Sequence, residues 1–95
     1  MFIILLKFSD NKAQASAFMT GHNAWLRGGF EDGVFLVAGS LQTSAGGVIL
    51  AHNCSLADLD NMVKTDPFVA NDVVSAEIIE FSPSRTGERL KFLIG

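Results

Sequence analysis

The chain has 95 residues, of which 48% are hydrophobic and 18% charged, and its formal net charge is −3 at pH 7. This length favours a single domain, and the dispersed basic residues argue against nucleic acid or an anionic membrane as a partner. The single cysteine, Cys54, excludes an internal disulfide and is typical of a protein of the reducing cytoplasm.

The chain begins with an apolar run that predicts a strand rather than a signal peptide. Residues 2–8 (FIILLKF) are apolar at both alternating positions, which is typical of a strand that is covered on two faces. No basic segment precedes the run, Lys7 and Asp10 interrupt it, and it is too short to cross a membrane. We therefore expect a central strand, with neither a signal peptide nor a membrane span.

A long helix is predicted next, from Asn11 to about Phe30. Asp10 stands in the position of its N-cap, and Gly33 follows it as a left-handed stop. The apolar face has helical spacing and includes one titratable residue. Its members are Ala15, Phe18, Met19, His22, Trp25 and Leu26.

Two strands and a glycine-containing turn follow this helix. Residues 34–41 (VFLVAGSL) and 48–52 (VILAH) have the composition of strands, and a polar turn over residues 42–47 separates them. Gly46 and Gly47 indicate either an unusual backbone angle or a close approach by a ligand. A flexible hairpin loop accounts for the same two glycines equally well.

The second helix begins at a capping box formed by Ser55 and Asp58. Its inner face is expected to carry Leu56, Leu59, Met62 and Val63. Asp66 and Pro67 end this helix and can begin a further short turn, with Asp66 as N-cap and Pro67 in the first position. A fourth strand is expected over residues 73–81 (VVSAEIIEF).

The order β-α-β-β-α-β predicts a ferredoxin-like α+β fold, an antiparallel sheet with both helices on one face. The other face would be left open although the strands are apolar on both sides. On the second strand, we expect Phe35 and Val37 to share the outward face. A second copy of the chain is the simplest cover for such a face, which predicts a homodimer or a higher homo-oligomer.

His22 is the first candidate for chemistry. An isolated inward histidine is usually a core residue whose ring nitrogens are satisfied by hydrogen bonds. Asp66, at the end of the other helix of the same layer, offers a carboxylate that fixes the tautomer of an imidazole, as suits a general base. Composition alone favours Asp66 as the N-cap before Pro67, and the two roles are compatible.

The other candidate residues are less specific. Trp25 and Phe68 could wall a substrate pocket, although both residue types are more often part of a core. His52 and Cys54 have no further ligands at suitable spacing, so no zinc site is expected. Cys54 is expected to be a small buried side chain rather than a nucleophile. Neither a metal nor a cofactor is expected.

An ordered set of short motifs resembles the YciI-like (YCII-related) family over most of the chain, from Met1 to about Pro83. The motifs are residues 22–26 (HNAWL), 33–36 (GVFL), 38–40 (AGS), 46–48 (GGV), 66–68 (DPF) and 79–81 (IEF). The resemblance implies a ferredoxin-like fold that pairs through its sheets into a dimeric α/β barrel. It also implies an active site with a histidine and an aspartate, which are His22 and Asp66 here.

The resemblance bears on the pocket as well. It directs attention to Ser40, Gly46 and Gly47 as substrate-binding residues, in a wall where residues 38–40 read Ala-Gly-Ser instead of the Ser-Gly-Pro that is frequent in the family. Family members linked to chemistry include a dehydrochlorinase of a chlorinated hydroxyquinol. Related dimeric barrels include muconolactone isomerases and cofactor-free monooxygenases.

Two functions are therefore considered. The first is a small cofactor-independent enzyme of lyase, dehydrochlorinase or isomerase type, acting on a small hydroxylated or aromatic molecule. In this enzyme His22 exchanges a proton with the substrate, Asp66 orients the imidazole, and Trp25 and Phe68 enclose the substrate. The second is a non-catalytic barrel protein that binds a small ligand or assists a larger enzyme.

The chain is expected to divide into a YciI-like domain over residues 1–83 and a C-terminal tail over residues 84–95. Leu90, Phe92 and Ile94 make the tail apolar enough that it should be packed somewhere. It could fold back along its own chain or add an edge strand to the sheet of a partner. The second placement is preferred, because Pro83 and Gly87 allow the chain to turn away.

Overall fold

Four strands and two main helices follow one another in the predicted order. The computed structural model describes residues 1–94, so Gly95, the last residue of the predicted tail, lies outside the described residues. The strands are β1 (Phe2–Phe8), β2 (Phe35–Ser40), β3 (Gly46–Ala51) and β4 (Val74–Glu80). The helices are α1 (Ala15–Glu31), α2 (Leu56–Lys64) and the short α3 (Pro67–Ala70).

The strands form one four-stranded antiparallel sheet in the order β2-β3-β1-β4, which confirms the predicted ferredoxin-like α+β class. Phe2, Ile4 and Leu6 of the central strand β1 are buried, and they form one core cluster with Leu59 and Val63 of α2. Within residues 1–94, no helix is both long enough and apolar enough to cross a membrane.

The start of α1 differs from the prediction. A 3-10 turn, Lys12–Gln14, precedes the helix, Gln14 is the N-cap, and no side chain caps it, so the prediction of an Asp10 cap is wrong. The backbone amides of Ser9 and Asn11 donate to the carbonyls of residues 73 and 72. These bonds hold the chain against the end of α3 and delay the first helical turn.

The predicted signals at the other helix ends are largely confirmed. Gly33 has φ +73° directly after α1, and the hydroxyl of Ser55 accepts from the amide of Asp58 at 3.1 Å. Leu56 is the exception, because it is 45% exposed instead of lying on the inner face of α2. It borders a shallow groove between α2 and β4, which Ile78 also lines.

A bulge in β2 changes which residues share a face. Phe35 pairs with Ala51 and Val37 with Leu50, so two steps along β2 match one step along β3. Phe35 is therefore buried beneath α1, whereas Val37 is on the opposite face and 51% exposed. The expectation that these two residues share the outward face is wrong.

The face of the sheet without helices carries a continuous aliphatic row. Ile3 lies between Leu50 of β3 and Ile79 of β4, and Leu50 is opposite Val37 of β2. Val37 and Ile79 remain 51% and 41% exposed. A continuous row of exposed aliphatic side chains is typical of a surface that another protein covers.

The tail forms a 3-10 helix, Glu88–Leu93, in the single chain. The ring of Phe92 lies edge-on to that of His52 with 6.0 Å between the centroids, so the tail folds back over its own chain. Leu90, Phe92 and Ile94 are nevertheless 47%, 61% and 46% exposed. Addition of the tail to the sheet of a partner stays a prediction.

We expect two copies of the chain to pair through the open sheet face. Ile3→Glu places a charge at the centre of the aliphatic row, where burial against a partner would leave it unpaired. Sedimentation at micromolar concentration should give about twice the 10.2 kDa chain mass for the parent and the single mass for the variant.

Lys64→Glu is a matched control, because Lys64 lies on α2, away from the open sheet face, and forms an ion pair with the exposed Asp60. This variant should sediment like the parent, and circular dichroism should show that both variants are folded. A parent chain that sediments as a folded monomer contradicts the homodimer.

Candidate active site

A cavity of about 340 Å³ lies between the middle of α1 and the sheet. Part of its floor is one cross-strand row, in which Ser40 is opposite Gly47 and Gly47 is opposite Leu6. Because Gly47 has no side chain, the row leaves space beneath α1. The volume is in the range of pockets that hold small molecules.

The cavity is mostly apolar and takes its walls from both helical and strand elements. Its large apolar side chains include Leu6, Phe8, Met19, Leu26, Ile49 and Phe68. The polar side chains among its lining residues are His22, Asn23 and Ser40. Such a lining suits a small molecule with an apolar body and a few polar groups.

His22 faces this cavity from α1 with one ring nitrogen already occupied. Its Nδ1 lies 2.8 Å from Oδ1 of Asp66, and its side chain is 12% exposed. A carboxylate only accepts hydrogen bonds, so Nδ1 carries the proton when Asp66 is ionised. The nitrogen that remains for a molecule in the cavity is Nε2.

Asp66 is fully buried behind the imidazole and is the N-cap of α3. Its Oδ1 accepts from the backbone amide of Phe68 at 3.1 Å as well as from His22. Both explanations of Asp66 are therefore found in the structure, on one oxygen. Among the described residues, the other oxygen, Oδ2, has no hydrogen-bond partner.

The rings beside His22 have different positions. Phe68 lines the cavity and stacks on the imidazole, with 4.0 Å between centroids and 3° between planes. Trp25 lies in the core, where its indole N–H donates to the carbonyl of Met62 at 3.0 Å and its ring meets Phe35 edge-on. Trp25 thus joins α1 to α2 and is not a lining residue of the cavity.

Close packing of α1 on α3 brings the imidazole to the carboxylate. A Cβ at Gly21 would lie 3.0 Å from Cγ of Pro67, a separation tighter than ordinary contacts. Because Gly21 has no side chain, α1 and α3 approach closely at Gly21 and Pro67. These residues are the direct neighbours of His22 and Asp66 in the sequence. The sequence signal for this approach is a glycine in the middle of a helix, where it weakens helix formation.

Gly46 and Gly47 both line the cavity, and the backbone explains the first of them. Gly46 has φ +139°, and a Cβ there would collide with the carbonyl oxygen of Leu6. The predicted unusual backbone angle is therefore confirmed at Gly46. Gly47 has a different role, since the missing side chain opens the floor of the cavity.

Asn23 is a cavity residue that the sequence reasoning missed. It lies four residues after Met19 and three before Leu26, and all three residues line the cavity. Helical spacing places Asn23 on the same face as Met19 and Leu26, which was the available signal. Asn23 was not predicted because it is polar, and the inner face of α1 was predicted from the spacing of apolar residues.

Cys54 is half-buried and lies outside the cavity wall. Burial raises the pKa of its thiol, and the nearby carboxylate of Asp58 raises the pKa further. The thiol therefore remains protonated at neutral pH, as expected for a residue that is not a nucleophile. In the described part of the chain, no three His, Cys, Asp or Glu side chains are grouped to hold a metal ion.

Comparison with known proteins gives a family match and a structural match. The family model for the YCII-related domain matches residues 1–82. A comparison with curated proteins finds no match.

One structural match is to 5-chloro-2-hydroxyhydroquinone dehydrochlorinase (TftG) from Burkholderia phenoliruptrix AC1100, in its complex with 2,5-dihydroxybenzoquinone. The TM-score is 0.69 at 13% sequence identity, over 94% of this chain and 98% of that chain. At this identity the likeness shows the fold alone.

One added methyl group should have a large effect on stability at Gly46 and a small effect at Gly47. Gly46→Ala should reduce the free energy of unfolding by at least ~2 kcal/mol, because φ is positive and the Cβ meets backbone. Gly47→Ala should change it by less than ~1 kcal/mol, since its Cβ would lie 3.3 Å from the carbonyl of Gly39. Urea denaturation measures both values, and equal losses would contradict this assignment.

The raised pKa of Cys54 predicts a slow reaction with iodoacetamide. At pH 7 the folded chain should react more slowly than the urea-unfolded chain, because the folded state has less thiolate. As the pH rises, the rate in the folded chain should reach its midpoint at a higher pH than in the unfolded chain. Equal midpoints would show that only access, and not the pKa, differs.

Proposed function

The chain belongs to the family of YCII-related domains, and from this premise we propose that it is a small cofactor-independent enzyme. Its chemistry is general acid/base catalysis on a small hydroxylated or aromatic molecule. His22 is the proton-transferring residue and Asp66 orients it.

The observation that carries the proposal is the hydrogen bond of 2.8 Å between His22 and Asp66 at the wall of a cavity. With Nδ1 donating to Asp66, Nε2 has a free lone pair that can take a proton from a substrate hydroxyl. The positive charge that then forms on the imidazole lies directly beside the carboxylate. A positioned acid or base of this kind contributes roughly 10²- to 10⁴-fold in rate.

The ring of His22 is held in place before any substrate binds. Phe68 fixes the plane of the imidazole through the parallel stack at 4.0 Å, and its backbone amide fixes the carboxylate oxygen that the imidazole contacts. Orientation of this kind lowers the entropic cost of reaching the transition state. Phe68 thus serves the base as well as the cavity wall.

The structural neighbour suggests which reaction class to test. That protein is a dehydrochlorinase of a chlorinated hydroxyhydroquinone. In this chain, a base in the position of His22 could move a proton from a ring hydroxyl to the carbon that carries a leaving group. Loss of that group as an anion, together with a second hydroxyl proton, would then give the quinone. On such a ring, a lyase, dehydrochlorinase or isomerase reaction can begin with the same proton transfer.

The test is chloride release from 5-chloro-2-hydroxyhydroquinone. His22→Gln should lower the rate by ~10³-fold or more, because the amide cannot accept the proton. Asp66→Asn should lower it by roughly 10²- to 10⁴-fold, because an amide can donate to Nδ1 and favour the wrong tautomer. Circular dichroism should show that both variants remain folded.

His52→Gln is the matched control, because His52 lies outside the cavity wall and packs against Phe92 of the tail. It should retain the parent rate. Turnover that survives in His22→Gln would contradict the proposal. A parent chain that binds 2,5-dihydroxybenzoquinone but turns over no chlorinated quinol would favour the non-catalytic binding protein.

A further inference from the structure

Asn23 is a polar side chain of the cavity that the proposed proton transfer does not use. It lies in the middle of α1, where asparagine is a poorer helix former than the leucine or methionine of neighbouring cavity positions. Placing an amide on this otherwise apolar face therefore has a cost to the helix. In a mostly apolar pocket, the few polar groups typically orient the ligand, and Asn23 is one of the three polar side chains that line this cavity.

The amide of Asn23 is free to bind. In the part of the chain that the structure describes, none of the side-chain hydrogen bonds involves Asn23. The residue is exposed and lines the cavity. Its amide donor and its carbonyl acceptor are therefore both accessible to a bound molecule. Asn23 lines the same cavity as His22, so a second polar side chain borders the space that the base faces.

An amide offers both a hydrogen-bond donor and an acceptor. A substrate oxygen that is a hydroxyl before the reaction and a carbonyl afterwards needs a partner of this kind, since it first donates and later only accepts. A carboxylate at the same position would hold the hydroxyl and repel the carbonyl product. Asn23 therefore fits an oxygen that changes in this way.

We propose that Asn23 is a specificity-determining residue that binds a second oxygen of the substrate, while His22 handles the first. The site then selects rings that carry at least two oxygens. This inference rests on the proposed function, because it assigns the first oxygen to His22.

Selectivity between hydroquinone and phenol tests the second contact. In anaerobic buffer, the two ligands are titrated into the full ¹⁵N-labelled chain, and the shifts of the His22 signals give Kd. The parent should bind hydroquinone about three- to tenfold more tightly than phenol, the effect of one hydrogen bond. Asn23→Leu should bring the ratio of the two Kd values close to one.

Asn61→Leu is the matched control, since Asn61 is exposed on α2 and is not a lining residue of the cavity. It should keep the preference of the parent. A second variant, Asn23→Asp, should raise the Kd of 2,5-dihydroxybenzoquinone by at least about tenfold. The Kd of hydroquinone should rise by a smaller factor. The quinone is deprotonated at neutral pH, so its oxygens accept only.

The outcomes separate this inference from the proposed function. An unchanged preference in Asn23→Leu overturns the role of Asn23, while chloride release that depends on His22 would still support the proton transfer. If neither ring shifts the His22 signals of the parent at millimolar concentration, the cavity is not a site for oxygenated rings. That result overturns this inference together with the substrate class of the proposed function.

Discussion

The buried carboxylate of Asp66 is the constraint on which the arrangement of the helical layer depends. Removing a carboxylate from water costs several kcal/mol unless donors compensate it, and here two donors meet on one oxygen. One donor is the backbone amide of Phe68. It is available to the carboxylate because it lies in the first turn of α3, where backbone amides have no acceptor within the helix. The other is His22, which reaches Asp66 because Gly21 lets α1 approach α3. The N-cap of α3, the packing of α1 on α3 and the His22–Asp66 contact therefore all serve to compensate the same buried carboxylate.

Local patterns were sufficient to predict the fold and the positions of His22 on α1 and of Asp66 before α3, while the resemblance to the YciI-like family implied that the two residues form one site. The strands alternate or are fully apolar, and the Asp66-Pro67 pair is a signal that depends only on neighbouring residues. Features set by distant partners could not be predicted in this way. The bulge in β2, which separates Phe35 from Val37, follows from pairing with β3. The late start of α1 likewise follows from hydrogen bonds of residues 9–11 to residues 71–73.

The same distinction applies to the site. Trp25 and Phe68 have the same aromatic character in the sequence, but only Phe68 lines the cavity. The orientation of Trp25 is decided by the carbonyl of Met62 on another helix, which no local pattern indicates. The cavity itself is created by the missing side chain of Gly47 in a row that joins three strands. An absence of this kind is visible only once the strand register is known.

The shared oxygen of Asp66 also links the lifetime of the site to that of a single helical turn. When the first turn of α3 opens, the amide of Phe68 and the imidazole of His22 lose the same acceptor together. Segments that open in this way exchange their amide hydrogens with solvent as a unit. The Phe68 amide is therefore a natural reporter, whose hydrogen exchange records how much of the time the base stands assembled.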